Sequence, residues 1–324
     1  MIEGGVLRFN CLTTSPFHTS RREYASLLKC APFILGSTIR GALLKYLIEM
    51  NCSKEKIAEL RSMSDPGEIA AFHRNCEIDC VVKPFFAEEP LVWFSFGHFA
   101  KGSYQFVTRI AIARENRSVA EGAIVNIEAI EPGTEFSFEI ILFGEALGVA
   151  ETVRSVMKQV GELRGFGHLR SIGFGRFEVL SIEEKGFADY VDERIGTLPP
   201  FDDKVKMVFT TPFVFGEGMR PYPLEGHALA RHIAEHIRAT ASRVIEEVAL
   251  LAIERVDARL RPDFIGRFSY ERGLRENRLV AWAGSEMTLH LSHGASDLSE
   301  QLAIASILGI GEWSEWGYGR FEVK

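Results

Sequence analysis

Apolar residues recur along this chain in two rhythms, one of period two and one of period three to four, and the rhythms take turns. Residues 6–12 are largely apolar and read as a strand. Ile39, Leu43, Leu44, Leu47 and Ile48 fall at helical spacing, so residues 39–50 predict an amphipathic helix that Ser37 or Thr38 can cap. Residues 123–130 and 135–143 alternate like strands, with Glu131-Pro132-Gly133-Thr134 as the turn between them. Residues 150–163 read as a second helix. The order strand, helix, strand, strand, helix, strand is the ferredoxin-like pattern. The second half is similar, with a strand over 205–209, a mostly helical stretch over 224–253, strands within 279–291 and a helix over 299–307. The expected fold class is α+β, with two tandem ferredoxin-like (RRM-like, βαββαβ) domains.

Two repeated motifs support the division. GFGHLRSIGFGRFEV, residues 165–179, returns as GIGEWSEWGYGRFEV, residues 309–323, with the glycines matching at four places. Leu12-Thr13-Thr14-Ser15-Pro16-Phe17 resembles Phe209-Thr210-Thr211-Pro212-Phe213. Each half thus opens on a strand, Thr-Thr and Pro-Phe, and closes on a glycine-rich loop feeding a strand. Residues 183–203 are polar, with Pro199-Pro200 near their end, and read as the linker. The expected domains are 1–198, with a candidate zinc-binding insertion, and 204–324.

Composition narrows the field. Of 324 residues, 46% are hydrophobic and 25% charged, as in a globular protein with a real core. No apolar run approaches the roughly 18–20 residues that span a bilayer. The first residues lack a basic start and an apolar stretch, so no membrane partner and a cytoplasmic location are expected. Five cysteines, an odd count, fit a reducing compartment. A net charge of -7 gives no global pull on nucleic acid, so any such surface must be a local basic patch.

Several constellations could form that patch. Glycine at 165, 167, 173 and 175 lets backbone N–H groups approach anionic oxygens, with Arg164, His168, Arg170 and Arg176 adding donors. The second copy carries Glu312, Trp313, Glu315 and Trp316 instead, and suits packing or a neighbouring subunit. Gly36, Ser37 and Thr38 at a helix N-terminus make an anion site, with Arg40 in the first turn. Arg109, Arg114 and Arg117 near Tyr104 and Phe106, and Arg267 near Phe268 and Tyr270, have the basic-plus-aromatic composition of a single-strand groove. Cys52, His73, Cys76 and Cys80 are four soft ligands that could close a tetrahedral structural zinc site, although Cys-x-x-x-Cys is looser than the usual spacing.

Together these residues resemble the RAMP superfamily of CRISPR-associated proteins. The hallmark is a glycine-rich loop between the last helix and last strand of a ferredoxin-like domain, and residues 163–179 and 308–323 look like it twice over. Residues 32–43 resemble the segment that opens the first helix in type III effector subunits. Residues 108–114, 121–123 and 128–136 are similar to the central strands of the Cas seven-like backbone subunits. Gly266-Arg267, Ala283-Gly284-Ser285 and residues 309–312 look like the Cas five-like subunit of type III-D complexes.

The resemblance implies a subunit of a type III-like antiviral effector complex that binds crRNA, with other effector subunits and target RNA as further partners. Gly36, Ser37, Thr38, Arg40, Arg109, Arg164, His168, Arg170, Arg176 and Arg267 are then the RNA contacts. No cofactor is required beyond the candidate zinc, for which some family members carry an insertion after the first helix. The alternative is a metal-independent endoribonuclease processing CRISPR precursor RNA, with His18 as candidate base. Subunits that cut target RNA use an aspartate before the Gly-Ser-Ser/Thr motif. Residues 15–32 hold none, only Glu23, which tips the reading toward a non-catalytic binding subunit.

Overall fold

The computed structural model describes the chain apart from residues 25–26, 64, 77–79, 113–118, 202, 216–225, 247, 249–252, 270–273 and 292–297. Its architecture is mixed α and β, and it is organised around two antiparallel sheets. In the first, the opening strand Gly4–Thr13 is central. Phe177–Gly186 pairs on one side of it and Glu135–Phe143 on the other, followed outward by Gly97–Phe99 and Phe33–Ile34, while Val92–Phe94 also pairs with Glu135–Phe143. The period-two pattern places Leu7, Phe9 and Cys11 on one face. There they pack with Phe138 and Ile140 against Ile39, Leu43 and Leu47 of the opening helix Gly36–Asn51 and Val153 and Met157 of the helix Ala150–Gln159.

The second sheet repeats the plan. Lys204–Phe209 is central, between Phe321–Val323 and Glu286–Leu291, with Ile253–Arg259 outside the latter. Val205, Met207 and Phe209 pack with Leu229, Ile233 and Ile237 of the helix Gly226–Ala241 and Leu302 and Ala305 of the helix Ser299–Leu308.

Four local expectations are corrected. Val119–Ile130 and Glu135–Phe143 flank a turn but do not pair with each other. The former joins Tyr104–Ile112 and Leu27–Cys30 in a separate sheet. The turn is held by Thr13 instead, whose carbonyl accepts from the Gly133 N–H at 2.7 Å and whose hydroxyl donates to the Glu131 carbonyl at 3.0 Å. Neither Ser37 nor Thr38 caps the opening helix, which begins at Gly36 after Leu35 with no side-chain cap. The helix expected to reach residue 253 ends at Ala241, and Ile253 already begins a strand. Val244 and Ile245 continue the apolar pattern because they are buried in a turn beneath the first half. Residues 183–203 are no free linker. Residues 183–186 finish a strand, and Phe187–Thr197 is a helix with Phe187 and Val191 buried.

That helix helps to weld the halves together. Arg194 donates from Nε to the Ser306 hydroxyl at 3.0 Å and from Nη2 to the Phe321 carbonyl at 3.2 Å. Ser299–Leu308 is buried from Gln301 through Leu308. One side serves its own sheet. The other, Ala303, Ile304, Ile307 and Leu308, packs against Trp93, Ile141 and Phe143 on the far face of the first sheet. Beside this seam lies a charged triad. Glu139 of the first half accepts from Arg320 Nη1 of the second at 2.7 Å and from the Tyr190 hydroxyl at 2.6 Å. Burial pushes the Glu139 carboxyl up, but Arg320 and the Tyr190 bond outweigh it and hold the group ionised. Among the described residues no helix is long and apolar enough to cross a membrane.

Removing Arg320 would strand a buried carboxylate. Arg320→Ala is expected to lower unfolding free energy by about 3–5 kcal/mol in chemical denaturation. Glu139→Gln in that background should recover part of the loss, since it removes the stranded charge.

Candidate nucleic-acid interface

The two repeated motifs are two sides of one clasp, built once in each half. In the first, the Gly175 N–H donates to the Pro16 carbonyl at 2.9 Å, the Arg176 N–H to the Ser15 hydroxyl at 2.9 Å, and the Thr14 N–H to the Arg176 carbonyl at 3.0 Å. In the second, Gly319 bonds Pro212 at 2.9 Å, Arg320 bonds the Thr211 hydroxyl at 2.9 Å, and Thr210 bonds the Arg320 carbonyl at 2.9 Å. Left-handed backbone falls at Gly165, Gly167, Leu169, Gly173 and Gly175, and again at Gly309, Gly311, Trp313, Gly317 and Gly319. Every position is displaced by the same 144 residues. Glycine is required most plainly at Gly175 and Gly319. There a Cβ would run into the carbonyl oxygens of Phe166 and Ile310, and φ is +80° and +70°.

This geometry corrects the phosphate-cradle expectation. The N–H groups of Gly165, Phe166, His168, Ile172, Gly173 and Gly175 are all spent on internal carbonyls. The glycines provide steric clearance. Any attraction for anions comes from side chains.

In the first clasp those side chains face solvent. His168, Arg170 and Arg176 are exposed. Leu163, Arg164, His168, Arg170 and Ser171 form one wall of a cleft of about 690 Å³, and Lys45, Tyr46 and Glu49 of the opening helix form the other. Arg164 pairs with Glu49 at 2.6 Å, and its guanidinium lies 6.0 Å from the centre of the Tyr46 ring. Lys45 and Tyr46 went unremarked in the sequence. Lys45 sits on the helix face opposite the buried Ile39, Leu43 and Leu47, which is the signal that would have found it.

His18 is not at the surface. It is 1% exposed, with Nδ1 2.7 Å from the Glu128 carbonyl and its ring edge-on to His168 at 6.2 Å. Burial drives its pKa below the usual 6.5, against the opposing pull of the Glu128 carbonyl. The ring is thus covered and bonded rather than open to solvent.

The second clasp is turned inward. Trp313 and Trp316 pack against the cluster of Phe33, Phe96 and Tyr318. Gly36 is buried against the Trp316 carbonyl, where a Cβ could not fit. Gly36 of the expected anion site thus sits at a junction between the halves, and Ser37 and Thr38 are half-buried beside it. Arg40 is likewise committed, donating to the Phe85 carbonyl at 3.1 Å with its guanidinium 5.2 Å from the centre of the Phe86 ring, and burial lowers its pKa.

Arg109 is exposed on the strand Tyr104–Ile112, and the exposed rings of Tyr104 and Phe106 alternate to the other face of that strand. Arg267 lies opposite Glu276 in the hairpin Pro262–Ser269 and Leu274–Ala281. Its side chain, the side chain of Phe268, and Arg114, Arg117 and Tyr270 lie outside the described residues. Arg109 is not among the residues that line the cleft.

The candidate metal ligands gather in part. Burial first, and then the nearby thiols of Cys80 and Cys76, push the Cys52 thiol above its ordinary value. His73 is fully buried, its ring stacked on Phe86 at 4.6 Å, with both ring nitrogens unpaired. The donor set suits zinc, and the unpaired imidazole is the observation in its favour. Among the described residues, however, no group of three or more His, Cys, Asp or Glu is arranged to hold a metal.

Comparison with known proteins follows the same residues. Residues 13–178 match the RAMP superfamily. No curated protein matches the chain. Among solved structures, the chain is similar to one from the cryo-EM structure of type III-B Cmr-beta bound to cognate target RNA. The identity is 17% and the TM-score 0.39, over 56% of this chain and 61% of that one. It is also similar to a chain from a Cas6 product complex, at 13% identity and a TM-score of 0.48 over 100% of both.

Two outcomes test the clasp. Gly173 has open space around a Cβ but a φ of +89°, so Gly173→Ala should cost about 1–2 kcal/mol. Gly175→Ala must also displace a carbonyl, and should lower the thermal midpoint well beyond that. Acid is the second test. His18, His73 and His98 are all held below 6.5, chiefly by burial. The unfolded chain therefore binds more protons as pH falls below about 6.5, and stability should be full above that value and drop below it. A thermal midpoint that did not move between pH 7.5 and 5 would contradict this.

Proposed function

The chain belongs to the RAMP superfamily, and from that premise we propose that it binds CRISPR RNA as a subunit of a type III-like effector complex in the cytoplasm. The observation that carries this reading is the asymmetry of the clasps. One backbone is built twice, yet only the first copy turns Arg170 and His168 outward over a cleft, with Arg176 also exposed. Its copy spends the equivalent arginine, Arg320, on Glu139 inside the molecule. Exposed guanidiniums beside Lys45 suit a phosphate backbone, which they would bind with release of counterions. Tyr104 and Phe106, exposed on the strand Tyr104–Ile112, are rings on which unpaired bases could stack. The strand orders of both sheets, with two helices on one face of each, support reading 1–198 and 204–324 as ferredoxin-like domains.

The alternative, an endoribonuclease that processes CRISPR transcripts with His18 as base, is disfavoured by the burial of that ring. A structural zinc at Cys52, His73, Cys76 and Cys80 is a secondary proposal, supported by the unpaired His73 nitrogens. When bound it would tie together the segments after the opening helix.

Gel-shift titration of labelled CRISPR repeat RNA in EDTA tests the main reading. Arg170→Glu/Arg176→Glu should weaken binding at least tenfold and flatten the dependence of affinity on salt. Unchanged affinity would exclude the first clasp as the RNA site. A discrete cut that His18→Ala abolishes would overturn the non-catalytic reading. Elemental analysis of protein purified without chelators should find about one zinc per chain, and none would remove that secondary proposal.

A further inference from the structure

The two halves differ again on the helix that faces each clasp. In the first half Ile39, Leu43 and Leu47 turn inward while Ala42 and Tyr46 line the cleft. In the second, Leu229, Ile233 and Ile237 turn inward at the same helical spacing. His232 and His236 hold the same places relative to that buried stripe as Ala42 and Tyr46. They are one turn apart, so both imidazoles leave the same face.

We propose that His232 and His236 form an open two-imidazole chelate for a divalent transition-metal ion. Their Nε2 atoms lie 2.9 Å apart, with ring centroids separated by 4.2 Å and planes at 86°. Two nitrogens each about 2.0–2.1 Å from one ion, at roughly a right angle, sit about 2.9 Å from each other. The pair therefore stands at the separation of two adjacent ligands. The remaining reading of that distance is an N–H to N hydrogen bond between the rings.

The surroundings favour a soft cation. Both rings are half-buried, and Phe213 lies edge-on to His236 with centroids 6.3 Å apart. Burial, joined at His236 by the neighbouring His232, holds both rings neutral near pH 7, and His236 is lowered to about 4, so ligand lone pairs are available. Glu235 opposes the shift at His232. Among the described residues no third His, Cys, Asp or Glu completes the set. Water, or a donor from beyond the described residues, would fill the ion's remaining positions. Imidazole ligands set at roughly a right angle suit copper or nickel rather than calcium or magnesium.

Calorimetric titration with nickel tests this. The protein is first freed of metal with EDTA and carries Cys76→Ser and Cys80→Ser, so that the thiols do not compete. One nickel ion per chain should bind near pH 7.5. His236→Gln and, separately, His232→Gln should each weaken it at least tenfold while the thermal midpoint without metal stays close to that of the parent. Binding that survives both substitutions, or no binding with both histidines present, would overturn the proposal and leave the pair as a hydrogen bond. None of these outcomes bears on RNA affinity, so the two proposals stand or fall separately.

Discussion

A helix buried at every residue from Gln301 to Leu308 must be covered on all sides, and the molecule is arranged around that requirement. Ser299–Leu308 cannot be satisfied by its own sheet alone. The far face of the first sheet supplies the missing wall through Trp93, Ile141 and Phe143. Once the halves meet there, the second glycine loop is drawn against Phe33 and Phe96. Arg320 reaches Glu139, and Phe187–Thr197 is held across the seam. The first sheet thus has little free face, and surfaces available to a ligand lie at the first clasp, in the cleft beside it and along the hairpins.

The same constraint explains how identical backbones come to behave differently. Both clasps need glycine at the same offsets and the same Thr-x-Pro-Phe strap or its close relative. What changes is the neighbourhood. Leu169 and Trp313 share the left-handed conformation, but Leu169 belongs to a small cluster under the exposed loop while Trp313 is wedged into the seam. Geometry is inherited from the repeat, and chemistry is set by what packs beside it.

Much of this was legible in the sequence because local pattern and local structure agreed. The opening strand, the helix after Gly36 and the paired glycine motifs follow from periodicity and repetition. What was not legible depended on the other half. Arg40 read as an RNA contact in the first turn of a helix, yet its partner is the Phe85 carbonyl, 45 residues away. The stretch 183–203 looked like a linker because its polar residues outnumber Phe187, Val191 and Ile195, which nonetheless form a stripe at helical spacing. Val244 and Ile245 mimicked a helix because burial in a turn leaves the same apolar signature as burial in a helix. The N–H groups of Gly165, Gly173 and Gly175 are consumed by Pro16 and neighbouring carbonyls, and the bond to Pro16 is visible only once the two motifs meet.

The clasp also bears on how the chain reaches this state. The Arg176 N–H meets the Ser15 hydroxyl across 161 positions, and the Arg320 N–H meets Thr211 across 109. Neither half is closed by neighbours in sequence. Each central strand finds both of its partners far along the chain, Glu135–Phe143 and Phe177–Gly186 in the first half and Glu286–Leu291 and Phe321–Val323 in the second. Loop-closure entropy weighs against such contacts, the regime in which folding is slow. A backbone that tolerates almost no side chain at Gly175 is also one assembled from two distant strands of chain that must find one register.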